Sequence, residues 1–480
     1  MKKIISILML FILAFSLIAC SSPFDDDSMG EDEVEGKVTI RVGIRNDPYE
    51  KAMMNALKRE FEKQNNLINI KYTNIQSDYH SGMATYIKKP SDMPDIIWTA
   101  GDYYSPYSSQ GIFVDLSDYY ASDPTTDVSN FVSSVMDLTH YGPNGVDDGI
   151  YFAPRDYNKP ITIINTKIFE AAGIEIPTAE EWNYDKFLEI CEELRLKMDT
   201  NQDQESQQIG LNSLSYPVEA NLHWQPVYYP VMKHFGADMI DENPAVSNED
   251  AITVNNAENV AAYNKIYNDL VKTRYTTNPA DGDSNNFVQS KAAMVFEVRP
   301  NVPSAVAQKV DVDFLPFPFD YDGAGCSGYA ITNQARERKT VLDGNNELGN
   351  VNDKNNEELA WEFIKFMLSE KGQETISQTG VIVPVRQSLW TKEDAAWNNY
   401  VSANLHHEAF ISGADEKDIN LNVVHRFPAQ SQILMQKELD TTFNSAMLDQ
   451  YHKDGSVADA LQQYLNSEKE KMITILKTNS

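Results

Sequence analysis

One loop of this chain combines aromatic rings with a carboxylate directly after a predicted strand. The apolar run from Ile96 to Trp98 has the length and β-branched character of a buried strand. Gly101 ends the run, and the loop after it carries Asp102 and the tyrosines Tyr103, Tyr104 and Tyr107. Aromatic rings stack on the C–H faces of sugars, and a carboxylate accepts hydrogen bonds from hydroxyls. The loop therefore predicts a ligand site, although an aromatic surface loop over a core strand would show the same pattern.

The elements before this loop indicate a sheet that could position it. Alternation predicts a strand in the segment that starts at Lys37, helical spacing follows over 49–64, and a second strand covers 68–72. A strand, a crossover helix and a strand imply parallel pairing, and ligands bind beyond the carboxyl ends of such strands. Asp47 lies at such an end and is a candidate ligand contact. It would equally serve as a helix N-cap, with Pro48 at the first helical position.

Length and charge restrict the class of protein. A chain of 480 residues is too long for one ordinary core, so two or more lobes are expected. The net charge of −31 argues against nucleic-acid binding, which needs a basic surface. Cys20, Cys191 and Cys326 lack metal-ligand spacing. Cys191 and Cys326 are expected to be free or buried thiols, and a disulfide between them is the alternative.

The first residues predict export. Lys2 and Lys3 precede an apolar run over 4–18, which is too short to favour a lasting transmembrane helix. Ala19 before Cys20 resembles the lipobox of bacterial lipoproteins, which implies a signal peptide over 1–19 and lipid, such as palmitate, on Cys20. An ordinary signal peptide with an incidental cysteine is the alternative. The acidic composition of the segment 20–36 then predicts a flexible tether that carries the lipid.

Several motifs resemble one family in its own order along the chain. They are the PDII strand with the later GIFVDL segment, the GIYFAP segment that ends at Pro154, the FVQSKAAM segment over 287–294, and the GVIVPVR segment that ends at Arg386. The chain resembles the bacterial extracellular solute-binding proteins of family 1, the sugar-binding components of ABC importers, similar to the maltose-binding type. It departs from the family at Ile164 (usually Tyr), at Ser290 (usually Gly) and after Glu297, where a tryptophan is common.

The resemblance implies an α/β, two-lobed periplasmic-binding-protein-like fold with a hinge and an interlobe ligand cleft. It also implies a division of the folded chain. Lobe 1 would comprise 37–153 and a return segment over 297–326, and lobe 2 would comprise 154–296 and then 327–480 with the C-terminal helices.

Residues at the predicted strand ends and lobe edges form the expected ligand site. The resemblance places Arg155 and Asp156 at the cleft, and it places sugar-stacking aromatics near Trp224 and Tyr228, which could instead pack in the core. Arg299 stands near the missing tryptophan, which hints at a ligand held by a guanidinium, such as an acidic or heavily hydroxylated sugar. The full expected set is Asp47, Trp98, Asp102, Tyr103, Arg155, Asp156, Trp224, Tyr228, Glu297, Arg299 and Ser327.

The function implied by the resemblance is capture of a carbohydrate, with an oligosaccharide expected, by hinge closure and delivery to an ABC permease. The protein is expected to be a monomeric lipoprotein of the cell membrane, with no cofactor, metal or enzymatic activity. The stretch from Asp199 to Glu205 has oxygen-bearing side chains at alternate positions, as calcium loops do. The sixth and twelfth positions of such a loop hold Gln204 and Gly210 instead of Gly and Glu, which favours a solvated turn. The alternatives are a lipid-anchored glycoside-active enzyme and a binding protein for a peptide or a polyamine.

Overall fold

The computed structural model divides into two compact units, which are described separately. Unit 1 is Met1–Ile97 with Gln334–Phe363, and unit 2 is Trp98–Asn333 with Ile364–Ser480. The predicted signal peptide, Cys20, and most of both the predicted acidic tether and the calcium-like stretch lie outside the described residues. The described residues are 34–76, 78–200, 211–282, 285–337, 355–392, 395–398, 401–402, 404–452 and 460–479.

Unit 1 is built on parallel strands joined by a helix. Strand β1 (Val38–Ile44) is followed by helix α1 (Pro48–Gln64) and strand β2 (Ile68–Asn74), and then by helix α2 (Tyr79–Lys88) and the start of strand β3 (Ile96–Ala100). Strand β1 pairs in parallel with β2 along its whole length and with the first two residues of β3. The predicted strand, crossover helix and parallel strand are therefore confirmed.

Helix α1 shows why this crossover folds as it does. The Asp47 carboxylate caps the helix by accepting a bond from the Glu50 amide at 2.8 Å, and Pro48 occupies the first turn. The buried apolar side chains of the helix recur on one face; they are Met53, Met54, Leu57 and Phe61. Asp47 thus has the capping role that the sequence left open. Helix α11 (Asn333–Glu337) and helix α12 (Asn356–Leu368) each lie partly in unit 1.

Unit 2 contains a four-stranded sheet of mixed direction. Its strands are β8 (Ile161–Asn165), β9 (Tyr216–Glu219), β10 (Ala292–Glu297) and β11 (Val312–Leu315), in the order β11-β8-β10-β9. Strand β8 is antiparallel to β10 and β11, whereas β9 is parallel to β10. Strands β9, β10 and β11 therefore end at the same edge. Strand β11 lies beside β8, although the sequence-based division assigns them to different lobes; the lobe boundaries stay a prediction.

Long helices pack on this sheet around one large core. They are α7 (Tyr184–Thr200), α8 (Gln225–His234), α9 (Ala257–Ile266), α14 (Ala429–Ala446) and α15 (Ala460–Thr478). The core includes Phe187, Tyr263, Phe296, Phe443 and Met472, which come from five of these elements. The C-terminal helices expected from the sequence are confirmed. Within the described residues, none of the helices combines the length and the apolar character needed to cross a bilayer.

Short strands and helices complete unit 2. Strand β12 (Ser327–Ile331) pairs antiparallel with β6 (Ala153–Pro154), and β13 (Val383–Pro384) pairs antiparallel with β7 (Asp156–Tyr157). A further hairpin joins β4 (Tyr141–Gly142) to β5 (Gly145–Val146). The shorter helices are α3 (Ser105–Ser108), α4 (Ser117–Ser122), α5 (Ser133–Asp137), α6 (Thr166–Ala172), α10 (Val302–Ala307) and α13 (Glu370–Ser377).

Candidate ligand-binding site

The loop after β3 presents an acid beside two aromatic rings. Trp98 is buried in the strand, and its ring meets the ring of half-buried Tyr103 edge-on, with centroids 6.2 Å apart. Asp102 between them is exposed. The Gly101 amide donates to the Cys326 carbonyl at 3.1 Å, which fixes the loop to the segment before β12. The structure therefore brings the three predicted residues of this loop to the start of β12.

Arg155 and Asp156 form hydrogen bonds with the same segment. The Arg155 Nη2 donates to Asp156 Oδ2 at 2.8 Å, and both side chains are buried. Asp156 Oδ1 accepts bonds from the Ser327 amide at 2.7 Å and from Asn158 Nδ2 at 2.8 Å. The Arg155 amide donates in turn to the Ser327 carbonyl at 2.7 Å. These three predicted residues are brought together, and the ion pair holds the start of β12 in place.

A second group forms where β9 and β10 end. Asn221 has φ +48°, and its Nδ2 donates to the Phe296 carbonyl at 2.9 Å and to Glu297 Oε2 at 3.2 Å. The Asn221 carbonyl accepts the Trp224 amide at 3.0 Å, which places the half-buried Trp224 ring directly before α8. The sequence interpretation missed Asn221. An asparagine just after a strand is a usable signal, because Asn tolerates the left-handed conformation better than most residues do.

One close backbone approach fixes the segment before β12 against α8. A Cβ atom added to Gly323 would stand 2.0 Å from the carbonyl oxygen of Pro226, in the first turn of α8. Two residues later, Gly325 exchanges backbone bonds with Asn158, at 2.7 and 2.9 Å. The segment 323–327 therefore contacts Asn158 and the first turn of α8, which begins directly after Trp224. We define the candidate site by the predicted residues of these two groups. Asp102, Tyr103, Trp224, Glu297 and Ser327 reach the surface and could touch a ligand, whereas Trp98, Arg155 and Asp156 are buried and hold their neighbours in place.

Arg299 is a correction to the expected site. Its side chain is 0% exposed, and its guanidinium donates to the Gly380 carbonyl at 3.0 Å and to the Trp397 carbonyl at 2.5 Å. It also lies 2.8 Å from His407 Nδ1 and 5.0 Å from the centre of the Phe410 ring. A side chain with no exposed surface cannot touch a ligand in this structure. The guanidinium stabilises a core, and Arg299 is therefore not part of the site.

Tyr228 is a second correction. It is 0% exposed, its ring stacks on Phe443 with centroids 4.3 Å apart, and its hydroxyl donates to Asp440 at 2.8 Å. Burial, with Asp440 nearby, raises the pKa of the tyrosine well above its ordinary value. Of the two aromatic residues predicted here, Trp224 lies at the surface of the site and Tyr228 packs in the core, the alternative that the sequence left open.

The pair of Arg299 and His407 predicts a pH dependence of stability. Burial and the Arg299 charge lower the pKa of His407 to about 4, and its Nε2 lies 2.9 Å from the Ser402 carbonyl. Between pH 6.5 and 4 an unfolded histidine binds a proton that the folded one does not, so the free energy of unfolding falls as pH falls. We expect His407 to contribute on the order of 1–3 kcal/mol to this loss.

Denaturant unfolding at several pH values between 4 and 7 checks this expectation. The His407→Gln variant removes one titrating group, and its stability should fall less steeply with acidification than that of the parent protein. Part of the slope should remain, because burial lowers the pKa of His425 to about 3 as well. An unchanged slope in the variant would refute the assignment to His407.

The two thiols of unit 2 are structural. Cys191 and Cys326 are free and buried, as expected from the sequence. Burial, with the Asp156 and Asp102 charges nearby, raises the pKa of the Cys326 thiol well above its ordinary value. Because the thiolate is the reactive form, Cys326 is an unreactive packing group at the centre of the candidate site.

A separate cavity of about 500 Å³ opens in unit 2. Its walls include Trp182, Tyr184, His234, Phe319 and Lys417. His234 lies at the last residue of α8, whereas Trp224 stands just before the first, roughly 15 Å away along a ten-residue helix. The cavity and the candidate site have no residue in common, and the cavity carries no part of the site described above.

The family of the chain follows from its sequence match. The model of the bacterial extracellular solute-binding proteins matches residues 46–374, which is more than half of the 480 residues. The resemblance expected from the motifs is confirmed. Among curated proteins, no sequence matches the chain.

Solved structures show the same fold at low sequence identity. An ABC substrate-binding protein from Listeria monocytogenes in complex with cycloalternan is 18% identical, with a TM-score of 0.65 over 92% of this chain and 99% of that one. The GacH receptor of Streptomyces glaucescens, studied unliganded and with acarbose, is 17% identical, with a TM-score of 0.62 over 93% and 100%. Maltose-bound MalE3 of T. maritima is 12% identical, with a TM-score of 0.65 over 91% and 100%.

These likenesses confirm the predicted fold class, a mixed α/β fold of the two-lobed periplasmic-binding-protein type. The family and the similar structures are solute-binding proteins and not enzymes. This chain therefore belongs to the bacterial extracellular solute-binding protein family, and it is a solute-binding protein of an ABC importer that acts outside the cytoplasm.

Proposed function

We propose that this protein is a lipoprotein that binds a carbohydrate, more specifically an oligosaccharide, and delivers it to an ABC permease. One observation supports the proposal: two aromatic rings and two carboxylates of unit 2 reach the surface, because Tyr103, Trp224 and Glu297 are half-buried and Asp102 is exposed. Rings that stack on sugar C–H faces and acids that accept hydroxyl protons suit a polyhydroxylated ligand. The similar structures whose ligands are carbohydrates support the same class.

The proposed mechanism is hinge closure. A ligand that contacts both lobes binds the closed form more tightly than the open form, so it shifts the population toward the closed form. Lipid on Cys20 would keep the monomeric receptor close to its membrane permease, because acyl chains anchor a protein without a spanning helix. The position of the site at the lobe edges, the lipid anchor on Cys20 and the contact with the permease are all parts of this proposal.

Thermal unfolding of the soluble form that starts after Cys20 tests the function. A ligand that binds only the native state stabilises it by about 2.7 kcal/mol at a concentration of 100 times its Kd, so the midpoint must rise. We expect a shift with one class of mono- or oligosaccharide, which is recovered unchanged after hours. A shift only with peptides or polyamines would show that the ligand is not a sugar. Hydrolysis of a glycoside would show that the protein is an enzyme and not a transport receptor.

Trp224 is expected to contribute directly to affinity. The Trp224→Leu variant keeps an apolar side chain against the core but loses the wide ring face, so sugar affinity should fall about 10-fold, a change of about 1.4 kcal/mol. Calorimetric titration measures this change. Trp390→Leu is the matched control, since Trp390 is also half-buried but lies against Tyr157, with ring centroids 5.7 Å apart. Equal loss of affinity in both variants would contradict the role of Trp224.

A further inference from the structure

The segment 323–327 begins beside a buried ion pair. Lys159 is 1% exposed and Asp322, which directly precedes the segment, is 2% exposed; the Lys159 Nζ lies 2.6 Å from Asp322 Oδ2. Two further charges act on Asp322, those of exposed Lys417 and half-buried Asp418, and their effects on it have opposite signs. Lys159 is therefore the buried cation in direct contact with the start of the segment.

The pair also bonds to a second loop. The Asp322 amide donates to the Lys417 carbonyl at 2.9 Å, and the Asp322 carbonyl accepts the Ile419 amide at 3.0 Å. The Lys159 ammonium donates to the Ser412 carbonyl as well as to Asp322. Both partners of the ion pair are thus bonded to this loop, which we call loop 412–419.

The two residues before Lys159 make the same connections. The Tyr157 hydroxyl donates to Asp418 in the loop at 2.9 Å, and Asn158 exchanges backbone bonds with Gly325 in the segment at 2.7 and 2.9 Å. Lys159 continues this pattern with a single ammonium group that bonds to both sides. One short stretch of chain therefore joins the segment to the loop.

Stability of the fold does not explain why a charge pair is buried here. A buried ion pair loses about as much in desolvation as it gains in attraction, and apolar side chains of similar volume often stabilise at least as well. Burial raises the pKa of Asp322 above its ordinary value even with Lys159 in contact, so desolvation outweighs attraction for this carboxylate. What the pair supplies is direction, because each hydrogen bond of the ammonium fixes the place of one acceptor.

We infer that Lys159 is a positioning residue of the ligand site: its ammonium group holds the segment 323–327 against loop 412–419 in the arrangement that binds the ligand. The inference rests on the proposed function and adds a residue to its site. Lys159 has almost no exposed surface, so it acts through the segment, whose Ser327 reaches the surface. A ligand that had to order a loose segment would bind more weakly, since the cost of ordering lowers affinity.

A variant that removes both charges tests the inference. Lys159→Met combined with Asp322→Val leaves apolar side chains of similar total volume, so we expect the unfolding midpoint to stay within about 4 °C of the parent's. Amide hydrogens in 322–327 and 412–419 should exchange at least about 10-fold faster, while the rest of unit 2 keeps the parent's rates. Thermal unfolding and hydrogen exchange with mass spectrometry of the ligand-free soluble form measure the two quantities.

Calorimetric titration with glucose, galactose, mannose and their linear trisaccharides measures the consequence for binding. For the sugar that the parent binds most tightly, we expect Kd to rise about 10-fold in the double variant. Lys159→Arg serves if that variant folds poorly, and the same two effects are expected, since a planar guanidinium cannot reproduce the bonds of an ammonium. The control combines Lys365→Met with Asp123→Asn, which removes an ion pair of 3.0 Å elsewhere in unit 2 and should change neither quantity.

The possible results separate positioning from stability. Unchanged exchange over 322–327, or an unchanged Kd in a variant that exchanges faster there, would overturn the inference. A lower midpoint with faster exchange throughout unit 2 would also overturn it, because Lys159 would then only stabilise the fold. If the parent binds none of these sugars, the proposed function fails instead, and the exchange over 322–327 still decides whether Lys159 holds the segment.

Discussion

Replacing Arg299 with methionine is expected to lower the free energy of unfolding by about 3–5 kcal/mol, because it removes a buried charged donor and leaves its acceptors unsatisfied. Those acceptors are the Gly380 carbonyl at 3.0 Å, the Trp397 carbonyl at 2.5 Å and His407 Nδ1 at 2.8 Å. Methionine fills much of the volume but donates no hydrogen bond. Denaturant unfolding at pH 7 measures the loss.

The same variant separates the two roles considered for Arg299. If it stabilises a core, Arg299→Met loses stability while the protein that remains folded binds sugar with unchanged affinity. The control is Arg59→Ala on the exposed side of α1, which should change stability by no more than about 0.5 kcal/mol. If the variant lost sugar affinity but kept its stability, Arg299 would instead be a ligand contact, as the sequence suggested.

Gly323→Ala should have the second large effect. The added Cβ would stand 2.0 Å from the Pro226 carbonyl oxygen and 2.7 Å from its carbon, so backbone must move apart. Displacements of this kind typically cost about 1–3 kcal/mol and occasionally more. The same segment holds Ser327, whose amide bonds to Asp156, and it lies against the first turn of α8. We therefore expect sugar affinity to fall together with stability. Thermal unfolding and calorimetric titration measure the two losses.

Gly325→Ala is the matched control for this prediction. It adds the same methyl group to the same segment, yet a Cβ at this position would meet no atom within 4 Å beyond its own chain neighbours. Its stability should stay within about 1 kcal/mol of the parent, and the restriction that alanine places on the unfolded chain favours a slight gain. Equal damage by both substitutions would mean that the segment tolerates no side chain at all, and the close approach of Gly323 to Pro226 would lose its significance.

The regular parts of the fold were predictable because their signals are local. The alternation in β1, the one-sided apolar spacing of α1 and the unbroken apolar run of β10 each lie within a short window of sequence. The family motifs extend this local information to the order of the elements. The choice between two roles of Asp47 was open, since a capping acid and a ligand acid look alike until the Glu50 amide is seen to bond to it.

The errors concern residues whose partners are remote in the chain. Arg299 is enclosed by groups 81 to 108 positions later, and Tyr228 bonds to Asp440, which lies 212 positions later. No periodicity within a window can indicate such a partner. In the sequence, a polar residue at a strand end therefore fits a ligand site and a buried hydrogen-bond network equally well. Glu297 and Arg299 both stand at the end of β10, yet the first reaches solvent and the second is enclosed.

A crystal structure of the soluble form with the sugar that raises its unfolding midpoint tests the central claim most directly. The account predicts that the sugar lies on the surface described for unit 2, with a ring against Trp224 and hydroxyl groups within about 3 Å of the Glu297 or Asp102 carboxylate. A sugar seated instead in the cavity beside Tyr184 and His234, with Trp224 and Glu297 untouched, would contradict it.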